Sequence, residues 1–337
     1  MWKVLATLGV LAATSSFDGV VRSAVGFAAV VVQTASGTAT GTWTSEARTG
    51  WAEDAGEARW QFNLRSDQGD HNWGFGVRPS ELQGAPSAAQ DGTASDVQFT
   101  WSREAGTFRF SGSFDRGRGS GRYVFTPSEQ YLAAMRKSGY QIGPSDTLRL
   151  AVLDVSTAYV RELQDAGYSK LTLDELTRMR IHRVSASDIR EFRALGLDGL
   201  STDMLVQLRI HRVTPDFVRG LTARGYKGLI PEDLVKMRIH RVTLEEIDEL
   251  KTLGFAGLGP DELVKFRIHR VTPGFIREMR DVGFKDVTED QLVRLRIHRV
   301  DAQFVKDARA DGYAMTTPGD AVDLAIRGPR YTRARRK

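Results

Sequence analysis

The sequence predicts an α+β chain: a small antiparallel β domain followed by an α-helical, solenoid-like array of helix-turn-helix repeats. Three observations predict it. The string Arg-Ile-His-Arg-Val recurs at 180–184, 209–213, 238–242, 267–271 and 296–300, each copy displaced by 29 residues. A fixed period of this size marks stacked two-helix units. Upstream, between 37 and 126, apolar and polar residues alternate with period two, the pattern of half-buried strands. Glycine-rich turns punctuate that stretch, as hairpins require.

In chain order, residues 1–36 come first, with two apolar stretches, Val4–Ala13 after Lys3 and Ser23–Val32 after Arg22. Each is too short to cross a hydrocarbon core of ~30 Å. Both suit the apolar centre of an export signal, and small residues near Ala35 and Ser36 suit its cleavage. A periplasmic or secreted protein is therefore expected, touching the membrane only transiently through that segment.

Residues 37–126 form the expected β domain. Trp60, Phe62 and Leu64 alternate, as do Trp73, Phe75 and Val77, then Val97, Phe99 and Trp101, then Phe108 and Phe110, with further strands near Trp43, Phe114 and Arg122–Phe125. About six strands suggest a small sandwich or a curled sheet. Ala85–Ser95 reads as a loop, and Asp115–Gly121 as a flexible hairpin loop. The spacing of Gly117, Gly119 and Gly121 is not that of a phosphate-binding loop.

Residues 127–326 form the expected helical array, with five full repeats from 156 to 300 and degenerate units at both ends. Ser156, Ser185, Thr214, Thr243, Thr272 and Asp301 are N-caps of a first helix, whose side-chain oxygens accept first-turn amides. An apolar stripe follows, such as Val218 with Leu221, and then a C′ glycine: Gly167, Gly196, Gly225, Gly254, Gly283 or Gly312. A second helix starts near Asp174, Asp203, Glu232, Asp261 and Asp290 and ends in Arg-Ile-His-Arg, which matches the helix dipole at both ends. Leu176 and Met179, and their equivalents, are its core positions. Residues 327–337 are a basic tail expected to be disordered.

Charge and composition exclude several function classes. Basic and acidic residues number 14 each in 1–150, and 33 against 28 in 151–337, where six of the basic ones lie in the tail. The pI of about 9.4 is thus a tail property and not that of a basic domain. With no cysteine, disulfides and thiolate chemistry are excluded. No zinc-peptidase, nucleophile-elbow or P-loop motif is present, and Asp70 with His71 is the only other acid–histidine neighbour pair. No enzyme and no cofactor are expected.

The candidate binding residues are those of the repeated string: Arg180, His182 and Arg183; Arg209, His211 and Arg212; Arg238, His240 and Arg241; Arg267, His269 and Arg270; Arg296, His298 and Arg299. Equivalent histidines in stacked helices stand ~8–10 Å apart. Two zinc ligands at ~2.0–2.1 Å from one ion must lie within about 4 Å of each other, so no metal is expected. Each histidine is expected to cap its helix or to bond the backbone of the next turn, with a pH-sensitive histidine ladder as the alternative. The paired arginines, three residues apart, share a helical face. They serve either inter-repeat salt bridges with the acids of the second helix or a ligand surface. Many other positions differ between repeats while this string does not, which points to strict packing or to a shared ligand.

The segments 272–284 (TPGFIREMRDVGF) and 290–300 (DQLVRLRIHRV) resemble a repeat found in bacterial extracytoplasmic regions, often behind the membrane metallopeptidase unit of BlaR-like sensors. Ala105–Pro127 is similar to the β segment that precedes those repeats. The peptidase helices and zinc motif are absent, so the resemblance implies an envelope-facing sensing or interaction module and not peptidase activity. The expected function is binding of a protein or cell-envelope component as a scaffold. The alternative is binding of nucleic acid or another polyanion through the Arg-x-x-Arg stripe and the tail; nucleic acid is not expected as the natural partner.

Overall fold

The computed structural model describes residues 37–48, 59–67, 72–85 and 92–328. The apolar N-terminal stretches, the Asp70–His71 pair and the tail beyond Gly328 lie outside the described residues.

Seven strands, β1 (Ala39–Arg48), β2 (Arg59–Ser66), β3 (Asn72–Val77), β4 (Leu82–Gln83), β5 (Thr93–Arg103), β6 (Gly106–Asp115) and β7 (Arg118–Pro127), form one antiparallel sheet ordered β3-β2-β1-β7-β6-β5-β4. The sheet curls until its two halves meet: Phe75 of β3 stacks on Trp101 of β5 at 4.7 Å. The concave face is aromatic because the alternating rings all point inward. At its centre Trp43 lies 5.4 Å from both Phe99 and Phe114, and 5.7 Å from Phe62. Of the sandwich and the curled sheet, the curled sheet forms.

Two loop expectations are corrected. The β6–β7 connection is only Arg116-Gly117, both at positive φ (47° and 77°), with Asp115 paired to Arg118. That is the two-residue turn whose twist matches a hairpin. Gly119 and Gly121 lie inside β7, where they make room rather than flexibility. A Cβ on Gly119 would stand 2.4 Å from the Phe114 ring and 2.6 Å from Trp43, and one on Gly121 would stand 1.9 Å from the Ser111 carbonyl oxygen. Likewise β5 begins at Thr93, within the expected loop, and carries a bulge between Ala94 and Val97 with Asp96 at φ 55°.

Fourteen helices follow in series: α1 (Glu129–Lys137), α2 (Pro144–Val152), α3 (Thr157–Asp165), α4 (Leu173–Ile181), α5 (Ala186–Ala194), α6 (Thr202–Ile210), α7 (Pro215–Ala223), α8 (Pro231–Ile239), α9 (Leu244–Thr252), α10 (Pro260–Ile268), α11 (Pro273–Asp281), α12 (Glu289–Ile297), α13 (Ala302–Ala310) and α14 (Pro318–Arg327). Odd-numbered helices pack on odd-numbered and even on even, giving two layers. The fold class expected from the sequence is the one observed. The first array helix starts after Pro127, which β7 claims, and the last runs to Arg327, one residue into the expected tail.

Every first helix of a full repeat is capped as its sequence dictates: Ser156, Ser185, Thr214, Thr243 and Thr272 each accept the amide three residues on, and Asp301 does so for α13. Thr172, Ser201 and Thr288 do the same for second helices α4, α6 and α12. Gly259 and Ile230 hold that position for α10 and α8 without a side-chain bond.

The sheet covers the leading end of the array. Glu104, in the β5–β6 turn, accepts from the Thr157 amide at 2.9 Å and so serves the N-terminus of α3. Arg103 pairs with Glu81 at 2.8 Å and with Asp154 at 3.7 Å. The end repeat's apolar face, with Tyr131, Met135 and Leu148 buried, is thereby withdrawn from water.

Candidate functional site

The repeated string closes each second helix, and its five letters have different environments. In Arg-Ile-His-Arg-Val of 180–184 the first arginine is half-buried, the isoleucine exposed, the histidine half-buried, the second arginine exposed and the valine buried; the other four copies repeat this order.

The turn is a Schellman motif. The Val184 amide donates to the Met179 carbonyl at 2.9 Å and the Arg183 amide to the Arg180 carbonyl at 3.0 Å, and the same two bonds recur at Val213, Val242, Val271 and Val300. These bonds satisfy carbonyls that the helix end would otherwise orphan. The valine is the apolar anchor of the motif, at most 2% exposed in all five copies. Each histidine is the C-cap residue through its backbone amide. No imidazole hydrogen bond is found among the described residues, so the expected capping role belongs to the main chain. The imidazole itself is left at the surface.

The second arginine occupies the left-handed position normally filled by glycine. Arg183, Arg212, Arg241, Arg270 and Arg299 have φ between 54° and 58°. A non-glycine residue there is strained. At the leading end of the array the same register holds Asp154 (φ 55°), whose amide donates to the Ala151 carbonyl at 3.1 Å while the Val155 amide donates to the Leu150 carbonyl at 2.9 Å. The turn therefore forms without arginine. This geometry also corrects the expectation of an arginine pair on one helical face: the helix ends at the isoleucine, and the second arginine lies beyond it.

The two arginines separate in role. The first ties repeats together. Arg180, Arg238, Arg267 and Arg296 donate through Nε to the carbonyls of Leu153, Arg212, His240 and His269 in the preceding repeat, at 3.1–3.4 Å. Each also meets the first helix of its own repeat, where the partner alternates between ring and acid. Arg180 lies over Tyr159 at 5.3 Å, Arg238 over Phe217 at 4.9 Å and Arg296 over Phe275 at 4.7 Å. Arg209 pairs with Asp188 at 3.4 Å and Arg267 with Glu246 at 3.3 Å. Glu246 is the most enclosed of these acids; burial pushes its carboxyl above the ordinary 4.5, Arg267 pulls it back, and Oε2 has no partner.

The acids at the start of the second helices do not meet the string. Asp174 pairs with Arg149 at 3.0 Å and Asp290 with Lys265 at 2.8 Å, while Asp203 pairs with Arg178 and Asp261 with Lys236. Inter-repeat salt bridges thus exist, but through a residue two positions before the string.

Sequence reasoning missed the isoleucines. Ile181, Ile210, Ile239, Ile268 and Ile297 are 51–57% exposed, and Ile326 of the trailing unit, at 55%, continues the same register. Among the described residues only Ile230 is a large apolar side chain comparably exposed elsewhere. The signal was present: Ile181 stands two residues after buried Met179 and five after buried Leu176, off the face those two define. The result is an edge of the array on which Ile, His and Arg recur once per repeat.

Among the described residues no group of three or more His, Asp or Glu is placed to hold a metal ion, and no helix is long and apolar enough to cross a membrane. Depressions on the sheet's outer face are open and lined by residues such as Ser45, Asn63, Ser113 and Arg118. Compared with protein-family models, curated proteins and solved structures, the chain matches none.

Proposed function

We propose that this chain is an exported, non-enzymatic repeat protein that binds a protein or cell-envelope component through its Ile-His-Arg edge, as a scaffold or sensing module. One observation carries the reading. Six isoleucines more than half exposed share one register, each in a full repeat followed two positions later by an arginine in a strained backbone position. Exposed apolar residues scattered singly need no explanation, but the same exposed isoleucine in every repeat at one register is not scatter and marks an interaction surface. The same strained arginine kept in five repeats, when Asp154 closes the same turn in the leading unit, points to function. The apolar N-terminal stretches and the resemblance to BlaR-associated repeats support an extracytoplasmic setting.

The test is co-sedimentation of the full-length protein with an isolated bacterial envelope fraction. Ile210→Ser/Ile239→Ser/Ile268→Ser is expected to lose most of that association. A variant that sediments like the parent sinks the reading. Nucleic-acid binding is the competing reading. Its mark is affinity for duplex DNA that falls steeply with salt. The structure gives it less support than the pairing of arginines did, since the first arginine of each pair is engaged within the array by a carbonyl, a ring or an acid.

A further inference from the structure

We propose that the Ile-His-Arg edge docks on an anionic lipid surface, with the isoleucines entering the headgroup region and the second arginines meeting headgroup phosphates. This rests on the preceding reading that the edge binds an envelope component, and it names that component's chemistry.

Arg183, Arg241, Arg270 and Arg299 are exposed, with no side-chain partner among the described residues, and Arg212 occupies the same register. Acids close to this edge come from the first turns of the following helices. Asp188 faces Arg209, Asp216 is held by Arg219 at 2.6 Å, and Glu246 faces Arg267, which leaves Glu245 and the α13 cap Asp301 as exposed acids without an ion pair, against five second arginines. The acids of the second helices sit at the opposite end of those helices, about 13 Å away for nine residues. Of the nine in the first turns of α4, α6, α8, α10 and α12, Asp174, Asp203, Asp261 and Asp290 are ion-paired there. The edge is therefore cationic although the array as a whole is nearly neutral.

Each rung also pairs a cation with an apolar side chain. A guanidinium alone would suit any polyanion. An isoleucine more than half exposed, two residues before it, suits a partner with apolar material beneath its charge, which is the layering of a bilayer interface. DNA and simple anionic polymers offer nothing to the isoleucine.

The rungs are identical and recur at roughly the 8–10 Å of helix packing. A folded protein partner presents a surface that does not repeat, so different repeats would be fitted by different side chains. Headgroups diffuse laterally and meet every rung whatever its spacing. Weak rungs then add, as linked sites do.

The experiment is sedimentation of the full-length protein with vesicles of phosphatidylcholine alone or mixed with phosphatidylglycerol. The apolar N-terminal stretches are common to all proteins compared, and the neutral vesicles report their contribution. Binding to the mixed vesicles is expected to be about tenfold stronger, and to weaken with salt. Arg241→Gly/Arg270→Gly/Arg299→Gly should abolish the preference for anionic vesicles without lowering the thermal midpoint, because glycine reaches the left-handed φ of 56–58° at these positions without strain. Ile210→Ser/Ile239→Ser/Ile268→Ser should weaken binding to mixed vesicles by a similar factor. No anionic preference in the parent protein, or a preference that survives the glycine substitutions, overturns the proposal. If either occurs while envelope association still depends on the isoleucines, the lipid assignment falls and the broader binding reading stands.

Discussion

At the scale of single residues, some side chains of the repeated string hold the array together and others do not. Val242 is 1% exposed and anchors its turn, while Arg241, one position earlier, is exposed at φ 58°. Arg241→Gly should stabilise the protein by up to about 1 kcal/mol, the relief of left-handed strain less the extra freedom of glycine in the unfolded chain. Urea denaturation of that variant checks it. Glu246 gives a pH prediction. Its carboxyl is raised above 4.5 chiefly by burial, so the folded state holds the proton more tightly than the unfolded state. The neutral form is thus favoured by folding, and that contribution is lost as pH rises from 4.5 through the raised value. Relative to Glu246→Gln, the parent should lose stability across that window and be the less stable of the two at neutral pH, as measured by thermal midpoints in a pH series. Neither residue's behaviour was legible beforehand. Nothing in an arginine's propensities marks it for positive φ, and the burial of Glu246 depends on its place opposite Arg267 in a folded repeat. The N-caps, by contrast, were legible because a hydroxyl that binds an amide three residues away needs no tertiary information.

At the scale of elements, helices of nine residues are too short to stand alone and depend on capping and on neighbours. The helix α8 is the weakest in this respect. Its N-cap is Ile230, 54% exposed and without a side-chain bond, at the register where Thr172, Ser201 and Thr288 each hold an amide. Ile230→Thr should stabilise by about 1 kcal/mol, read from the denaturation midpoint. The strands were legible as alternation and the helices as repeat periodicity. The tight β6–β7 turn was not, because glycines that thin a strand beneath Trp43 and Phe114 read the same as glycines that loosen a loop. The isoleucine row was legible in principle from helical phase, but an apolar residue one step from the core stripe reads as part of it.

At the scale of the whole molecule, each repeat bonds only to its neighbours through a few recurring contacts. Such arrays gain stability per unit and per interface. Removing residues 214–242, one period of 29, joins Val213 to Thr243 and recreates a junction of the same kind found at 242–243. The shortened protein should still unfold cooperatively by circular dichroism, with a lower midpoint. Loss of all helical signal would show that the contacts are not equivalent between repeats. The curled sheet acts at this scale too. Through Glu104 and Arg103 it closes the leading end of the array, a role invisible in sequence because it depends on where a turn lands in space.

The measurement that bears most directly on the account pairs stability with binding in one protein, Ile210→Ser/Ile239→Ser/Ile268→Ser. Side chains 51–55% exposed and off the core face should cost no more than about 0.5 kcal/mol each when replaced, whereas Val242→Ser, a core change in the same turn, should cost several-fold more. The account predicts a near-parental unfolding free energy together with lost envelope association. A triple variant that unfolds early, or one that is stable and still binds, would contradict it.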